Sequence, residues 1–254
     1  MRLATWNVNS LKVRLPHLLD WLGRQQPDIL CVQETKLEDD KFPRNEIESA
    51  GYQVVFSGQK TYNGVAIVSK VAAEDVLMGI PEFEDSQKRV IAGTFAGTRV
   101  VCAYVPNGQS IDSDKYAYKL SWLTAFEKWL DTEIRTHSGL AVLGDYNIAP
   151  SDEDVHDPSA WKDQVLCSAS ERSAFQRLLA LGFKDGFRLF PQPENSFSWW
   201  DYRMNAFRRK MGLRIDHILL SAPLAAKCTA CVIDVEPRKL ERPSDHAPVL
   251  ADIA

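Results

Sequence analysis

The sequence predicts a mixed α/β fold carried by two packed β-sheets. Short runs rich in β-branched and aromatic residues recur from one end of the chain to the other. Amphipathic helical segments stand between only some of those runs. The runs number eleven, more than one compact open sheet usually holds, so the strands are expected to divide between two sheets packed together.

The chain opens on an expected strand over 2–8. Leu11, Leu15, Leu18, Leu19 and Leu22 then fall on one helical stripe, with Pro16 placed in the first turn, where its missing N–H costs nothing. Strands are expected over 28–32, 52–57, 65–70, 90–95 and 99–105. A second helix is expected from about 115 to 136, with Leu123, Phe126, Leu130 and Ile134 inward. After a strand at 140–144 comes a third helix near 170–181, with Phe175, Leu178 and Leu179 inward and Gly182 as its stop. Strands at 197–202, 214–221, 229–235 and 249–253 complete the pattern. Neither an internal repeat nor a low-complexity linker interrupts it, so residues 1–254 are read as one domain.

A chain of 254 residues with 45% hydrophobic and 25% charged residues has the composition of a globular protein, which excludes disordered, collagen-like and coiled-coil readings. Five cysteines, an odd number scattered along a long chain, read as buried free thiols in a reducing compartment. There is no basic segment leading into an apolar export signal, and runs such as 100–105 fall far short of the ~20 residues that span a bilayer. A cytoplasmic protein without membrane contact is expected. The net charge of −4 gives no global pull toward nucleic acid, so any polyanion site must be a local patch.

Function is legible where strands end. Side chains two apart on a strand share a face, and Asn7 with Asn9, and Asp145 with Asn147, each close an apolar run this way. Either pair alone reads first as a turn opener. Glu34 ends a third apolar run, Asp216 and His217 begin another, and Asp245 and His246 precede the last. Carboxylates and carboxamides such as Glu34, Asp245 and Asn7 suit Mg²⁺ or Mn²⁺, whereas zinc would want more His or Cys. A histidine beside them would face a phosphoryl oxygen or a carboxylate that fixes its tautomer.

These residues sit in a collinear series of motifs: Trp-Asn-Val-Asn at 6–9, Gln-Glu-Thr-Lys at 33–36, Gly-Gln-Lys at 58–60 and Gly-Val-Ala at 64–66. Tyr-Val-Pro-Asn-Gly at 104–108, Gly-Asp-Tyr-Asn-Ile at 144–148 and Phe-Ser-Trp-Trp-Asp-Tyr-Arg at 197–203 follow. Gly-Leu-Arg-Ile-Asp at 212–216 and Ser-Asp-His-Ala-Pro-Val at 244–249 close the series. Together they resemble the exonuclease III / AP endonuclease family of the endonuclease/exonuclease/phosphatase superfamily.

The resemblance implies a four-layered α/β sandwich, two mixed sheets face to face with helices outside, and an active site at one edge. It implies a Mg²⁺- or Mn²⁺-dependent, monomeric DNA-repair nuclease acting on duplex DNA at abasic (AP) sites and blocked 3′ ends in base-excision repair. Carried over by position, Glu34 is the main metal ligand, Asn7 and Asp245 lie close by and Asn9 flanks them, with Asp145, Asn147 and His246 also reaching the metal site. Asp145 would position and deprotonate the attacking water or assist the leaving oxygen, and Asn147 would orient that water. His246 would hold a phosphate oxygen under orientation by Asp216, while Tyr104 and Asn107 would reach the phosphate from the other rim. Phosphodiester hydrolysis needs in-line water, charge neutralisation and a stabilised leaving oxygen, and each residue fits one of these tasks.

Between 203 and 214 the chain carries five basic residues, Arg203, Arg208, Arg209, Lys210 and Arg214, and no acid, beside Trp199, Trp200 and Tyr202. Basic residues interleaved with aromatics suit a surface that tracks a phosphate backbone and stacks on bases. By the resemblance, Trp199, Leu213 and Ile215 would line a pocket for a baseless sugar turned out of the duplex. Cys228 and Cys231, three apart on a strand, are expected on opposite faces and are set aside as packing. His17, His137 and His156 read as surface histidines. Three alternatives stand beside the leading reading: a 3′-phosphodiesterase or exonuclease with weak AP-site incision, a small-molecule phosphoesterase, and a catalytically silent DNA-binding protein. The acidic stretch 151–154 has no role derivable from sequence.

Overall fold

The computed structural model describes residues 1–254 and contains twelve strands. Sheet one holds β1 (Arg2–Asn7), β2 (Ile29–Gln33), β3 (Gln53–Ser57), β4 (Val65–Ser69), β11 (Cys228–Ile233) and β12 (Val249–Ile253), in the order β11-β12-β1-β2-β4-β3. Sheet two holds β5 (Glu74–Met78), β6 (Val90–Phe95), β7 (Thr98–Tyr104), β8 (Leu140–Asp145), β9 (Lys184–Asp185) and β10 (Asp216–Leu220), in the order β5-β6-β7-β8-β10-β9. Each sheet is mixed, with one parallel pair, β1/β2 in the first and β7/β8 in the second. Those pairs are parallel because a helix carries the chain back across the sheet each time: α1 (Leu11–Gln25) in the first case and α3 (Asp114–Thr136) in the second. The shorter helices are α2 (Arg44–Ser49), α4 (Pro158–Trp161), α5 (Ala169–Ala180) and α6 (Ala222–Ala225).

The strand period of two sorts the core into three slabs. On β1, Leu3 faces sheet two, packing with Ile29, Ile67, Val100, Ala141 and Ile218. Ala4 and Trp6 face the opposite way, against Leu18, Trp21 and Leu22 of α1. On the far side of sheet two, Val101 and Val142 pack against Trp122, Phe126 and Leu130 of α3 and Phe175 and Leu178 of α5. This helix, sheet, sheet, helix stacking is the four-layered α/β sandwich that was expected.

Four local expectations are corrected. Residues 197–202 form no strand; Trp199 instead makes isolated bridges to Leu213 and to His246, so the segment is a stave between two loops. Two strands were missed. β5 is an edge strand with most of its side chains exposed, so it lacks a buried alternation, and β9 is only two residues long. Pro16 lies inside α1 rather than in its first turn, on the solvent side, so its missing N–H leaves one helical bond unmade. Finally, a register shift between Cys228 and Ala230 brings Cys228 and Cys231 onto the same inward face, where both pack in the inter-sheet core. α5 ends as expected: Gly182, at φ +113, follows its C-cap and donates to Leu179 O.

Candidate active site

The parallel pairs and the central antiparallel pairs place the polar strand ends at one edge of the sandwich. Asn7 pairs with Gln33 at the end of β1/β2, Tyr104 with Asp145 at the end of β7/β8, and Asp145 with Asp216 where β10 begins. β12 runs antiparallel to β1, with Thr5 opposite Val249, so the residues preceding β12 arrive at that same edge. Gly144 permits the close β7/β8 approach beneath the site: a Cβ there would stand 1.8 Å from the Ala103 carbonyl oxygen. Beyond the strands the chain turns sharply through left-handed conformations at Asn9 (φ 43), Glu34 (φ 53) and Asn147 (φ 48), each a strained geometry costing about 1–3 kcal/mol and commonest at functional sites.

Asn7, fully buried, points its amide nitrogen at Glu34 Oε1 (2.8 Å) and Asp145 Oδ2 (2.9 Å), while its Oδ1 accepts from Asn9 N–H (2.9 Å). Asn7 therefore acts as the spacer that holds two carboxylates together. Tyr104 donates its hydroxyl to Glu34 Oε1 at 2.9 Å, and Lys36 pairs with Glu34 Oε2 at 2.8 Å. His246 Nδ1 stands 2.9 Å from Asp216 Oδ2, and its Nε2 is 3.7 Å from Asp145 Oδ2. Asp216 is in turn held by Ser198 Oγ at 2.6 Å, and Ser198 Oγ accepts from the backbone N–H of Ile215 and Asp216. Asn147 N–H donates to Asp145 Oδ1 (2.9 Å), its Oδ1 accepts from Asn107 Nδ2 (2.9 Å), and its Nδ2 donates to Val105 O (3.0 Å). Asp245 stands slightly apart, its oxygens taken by Asn9 Nδ2 (2.9 Å) and Trp199 Nε1 (3.0 Å).

The electrostatics follow from burial and neighbours. Burial depresses the charged form of His246, but Asp216 and Asp145 outweigh it and raise the imidazole well above its ordinary value. Burial raises the Asp145 carboxyl; His246 opposes that rise, and Asp216 and Glu34 reinforce it. Burial would also raise Glu34, yet Lys36 and Asn7 hold it below the usual range. Burial, with Glu34 and Asp145 beside it, raises the Tyr104 phenol far above its ordinary value, so it remains a donor. Glu34, Asp145 and His246 each present a ligand atom within 4.8 Å of the others, an oxygen-rich set that fits a hard divalent cation.

Residues 4–246 match the Endonuclease/Exonuclease/phosphatase family. The chain belongs to that family. It is 36% identical to exodeoxyribonuclease III of Haemophilus influenzae over 99% of each chain. Among solved structures it is similar to a 3′ phosphatase from Neisseria bound to a product DNA hairpin (TM-score 0.98, 48% identity, 100% of this chain and 99% of the other). It is also similar to an AP endonuclease from Archaeoglobus fulgidus (TM-score 0.96, 42% identity, 100% and 99%). Within the family this chain is a hydrolytic DNA-repair nuclease.

The expected DNA-binding residues divide in two. Arg208, Arg209 and Lys210 are exposed, and none of them forms an ion pair; Arg203 is exposed but paired with Asp201. Arg214 is not on this surface: only 1% exposed, it is bound to Asp154 at 2.6 Å and Asp185 at 2.8 Å, with His217 Nδ1 3.0 Å from its Nη1. That ion pair also explains the acidic stretch 151–154, whose Asp154 additionally receives Arg188 and caps its own 3₁₀ turn through Ser151. Leu213 and Ile215 are 0% and 1% exposed, packed with Val155, Leu166 and Cys167 under a half-buried Trp199. His17, His137 and His156 are each partly buried.

Several site residues escaped sequence reasoning. Ser198 carries no charge and sits inside a motif read for its aromatics. Lys36 is in the Gln-Glu-Thr-Lys motif, which could have flagged it. A cleft running away from Tyr104 and Asn107 is lined by Gln59, Tyr62, Arg89, Lys115 and Tyr118. Its residues come from four separate segments, so no local pattern announces it.

Proposed function

We propose that this nuclease hydrolyses phosphodiester bonds of duplex DNA at AP sites and at blocked 3′ ends, using Mg²⁺ or Mn²⁺ and acting as a monomer. The observation that carries the reading is the buried line Ser198, Asp216, His246, Asp145, lying against Glu34 at the sheet edge. Glu34 and Asp145 would hold the metal foremost, with Asp245 and Asn9 on its flank. A divalent cation bound there supplies charge neutralisation for a phosphate oxygen. His246, kept protonated by its two carboxylates, offers its Nε2 proton to a second phosphate oxygen. From the opposite rim Asn107 presents its second amide N–H, and Tyr104 would turn toward the phosphate the O–H it donates to Glu34. Asp145 accepts the proton of the attacking water, which Asn147 orients while holding the Asp145 carboxylate through its own N–H.

The unpaired Arg208, Arg209 and Lys210 support a DNA substrate over a small phosphoester, since a small molecule would not reach them. Relatives on both sides, a 3′ phosphatase and an AP endonuclease, are similar to this chain. A bias toward 3′ ends is favoured by the close packing of Leu213 and Ile215, which leaves them almost no free surface for an extruded sugar. Five free thiols support a reducing, cytoplasmic setting. The test is one gel series with AP-site, 3′-phosphate and recessed-3′ duplexes, each with Mg²⁺, Mn²⁺, Zn²⁺ or EDTA. Turnover of the 3′ substrates at least equal to AP incision, restored by Mg²⁺ or Mn²⁺ and abolished by EDTA, is expected. Robust cleavage in excess EDTA would overturn the metal assignment, and no cleavage of any duplex would overturn the substrate.

A further inference from the structure

Lys119 lies in the second turn of α3, facing inward with 0% of its surface exposed, and the hydrolytic scheme above makes no use of it. A buried ammonium must satisfy three donors, and this one does so with three acceptors: Asn107 O at 3.1 Å, Asn147 O at 2.7 Å and Glu171 Oε1. The first two carbonyls belong to the residues at the phosphate rim, and they come from different loops, one leaving β7 and the other β8. Unbridged, the buried Asn147 carbonyl oxygen and the part-buried Asn107 one would each lose a partner. Asn147 is also in the left-handed region, where its carbonyl direction is costly to hold. The loop is shaped around the lysine stem: Gly108, at φ +94, would place a Cβ 3.2 Å from Lys119 Cδ.

Glu171 extends the link. Besides Lys119 it accepts from Leu166 N–H (3.0 Å), Ser168 N–H (3.0 Å) and Ser168 Oγ (2.6 Å), closing the cap of α5. Leu166 belongs to the apolar cluster with Leu213 and Ile215, under Trp199. One buried ion pair thus fastens the Asn107 and Asn147 carbonyls at one end and the wall beneath Trp199 at the other.

We propose that Lys119 is a positioning residue: through the backbone of Asn107 and Asn147 it fixes the phosphate rim, and through Glu171 it ties that rim to the wall beneath Trp199. The proposal rests on the reading of Asn107 and Asn147 as substrate-facing. Removing one charge would strand the other in the core, so the decisive variant replaces both, Lys119→Met with Glu171→Leu, an apolar pair that can pack in the same space. Lys119→Arg is the charge-retaining control.

Three readouts decide the matter. The double variant is expected to melt cooperatively, to bind DNA within about threefold of wild type and to lose ~10-fold or more in kcat on a 3′-phosphate duplex, since misplacement by a fraction of an ångström is enough for that. Lys119→Arg should recover part of the loss. Adding Asn147→Ala should cost far less in this background than in wild type, because the lysine acts through that residue. Hydrogen exchange, which needs no substrate, should quicken at 105–109 and 147–149 before it quickens in the strands. Wild-type kcat in a folded double variant, or full additivity with Asn147→Ala, would overturn the positioning role. Unchanged exchange at the two loops would overturn it independently of activity. If wild type cleaves no duplex, the nuclease reading falls, and the exchange result still decides whether Lys119 holds the loops.

Discussion

The catalytic edge and the basic loop at 201–210 lie side by side and are built on opposite principles. At the edge, Asn7, Asp145, Asp216 and His246 are almost wholly buried and held by hydrogen bonds to their neighbours, with His246 Nε2, 3.7 Å from Asp145, left to meet substrate. In the loop, Arg208, Arg209 and Lys210 stand in solvent and none has an acidic partner. A reacting group must be held before substrate arrives, because reorganisation would be charged to the barrier. A group that meets a phosphate backbone must instead be free, because an existing ion pair would have to be broken first. Arg214, a neighbour of that loop in sequence, obeys the first principle and is lost to the second.

The largest effect should come from the edge. Asp145→Asn and His246→Asn are each expected to lower kcat ~10²-fold or more with DNA affinity near wild type, the scale on which a positioned acid or base acts. Asp216→Asn should be milder, since Asp216 acts through His246. Wild-type turnover by Asp145→Asn in steady-state assays would erase the distinction between the two regions. At their boundary, Trp199→Ala should lose ~1–3 kcal/mol of productive binding, the value of an aromatic stacking contact. The loss should be greater on an AP-site duplex than on a 3′-phosphate duplex. Equal loss on both would assign Trp199 to the core and to holding Asp245.

Neutralising Arg208, Arg209 and Lys210 together should leave kcat at saturating DNA unchanged and lower affinity for all duplexes alike. The slope of log K against log salt should flatten by up to about 0.9 per lost contact. A changed kcat would mean that the loop also serves the chemistry. The effect furthest from the chemistry is a pH slope in stability. Burial, with Arg214 beside it, pushes His217 down to about 4, whereas in the unfolded chain it takes up a proton near 6.5. Between those values the unfolded state binds more protons, so this residue's contribution to stability falls as pH drops from about 6.5 to 4. Asp145, raised by burial to about 7 in the folded state, acts in the opposite sense throughout that range. The measurement is therefore the difference in melting temperature between wild type and His217→Gln across those pH values. A constant difference would show that His217 titrates alike in both states.

The same division governs what the sequence could disclose. Residues that end strands, Asn7, Glu34 and Asp145, announce themselves because a polar side chain abruptly interrupts an apolar run. Leu11 to Leu22 disclose α1 because burial on one face imposes a period. β5 lacks such a signal, since an edge strand with few buried side chains has no alternation to read. Arg214 misled because a basic residue in a basic stretch looks like its neighbours until Asp154 and Asp185, distant in sequence, come to meet it. Lys119 was invisible for a related reason: within a helix it reads as solvated, and only the fold brings two loop carbonyls and Glu171 to its ammonium.

The antiparallel pairing of β1 with β12 has a consequence for synthesis. Asn7 is made long before His246, and Trp6 donates to His246 O and Ser244 Oγ to Asn7 O across an interval of some 240 residues. Until the final strand is made, β1 has no neighbour on that flank, and the carboxylates that Asn7 gathers have no imidazole beside them. A contact of such long range is slow to close. Nuclease activity is therefore expected only once the segment around His246 has been made and has met β1.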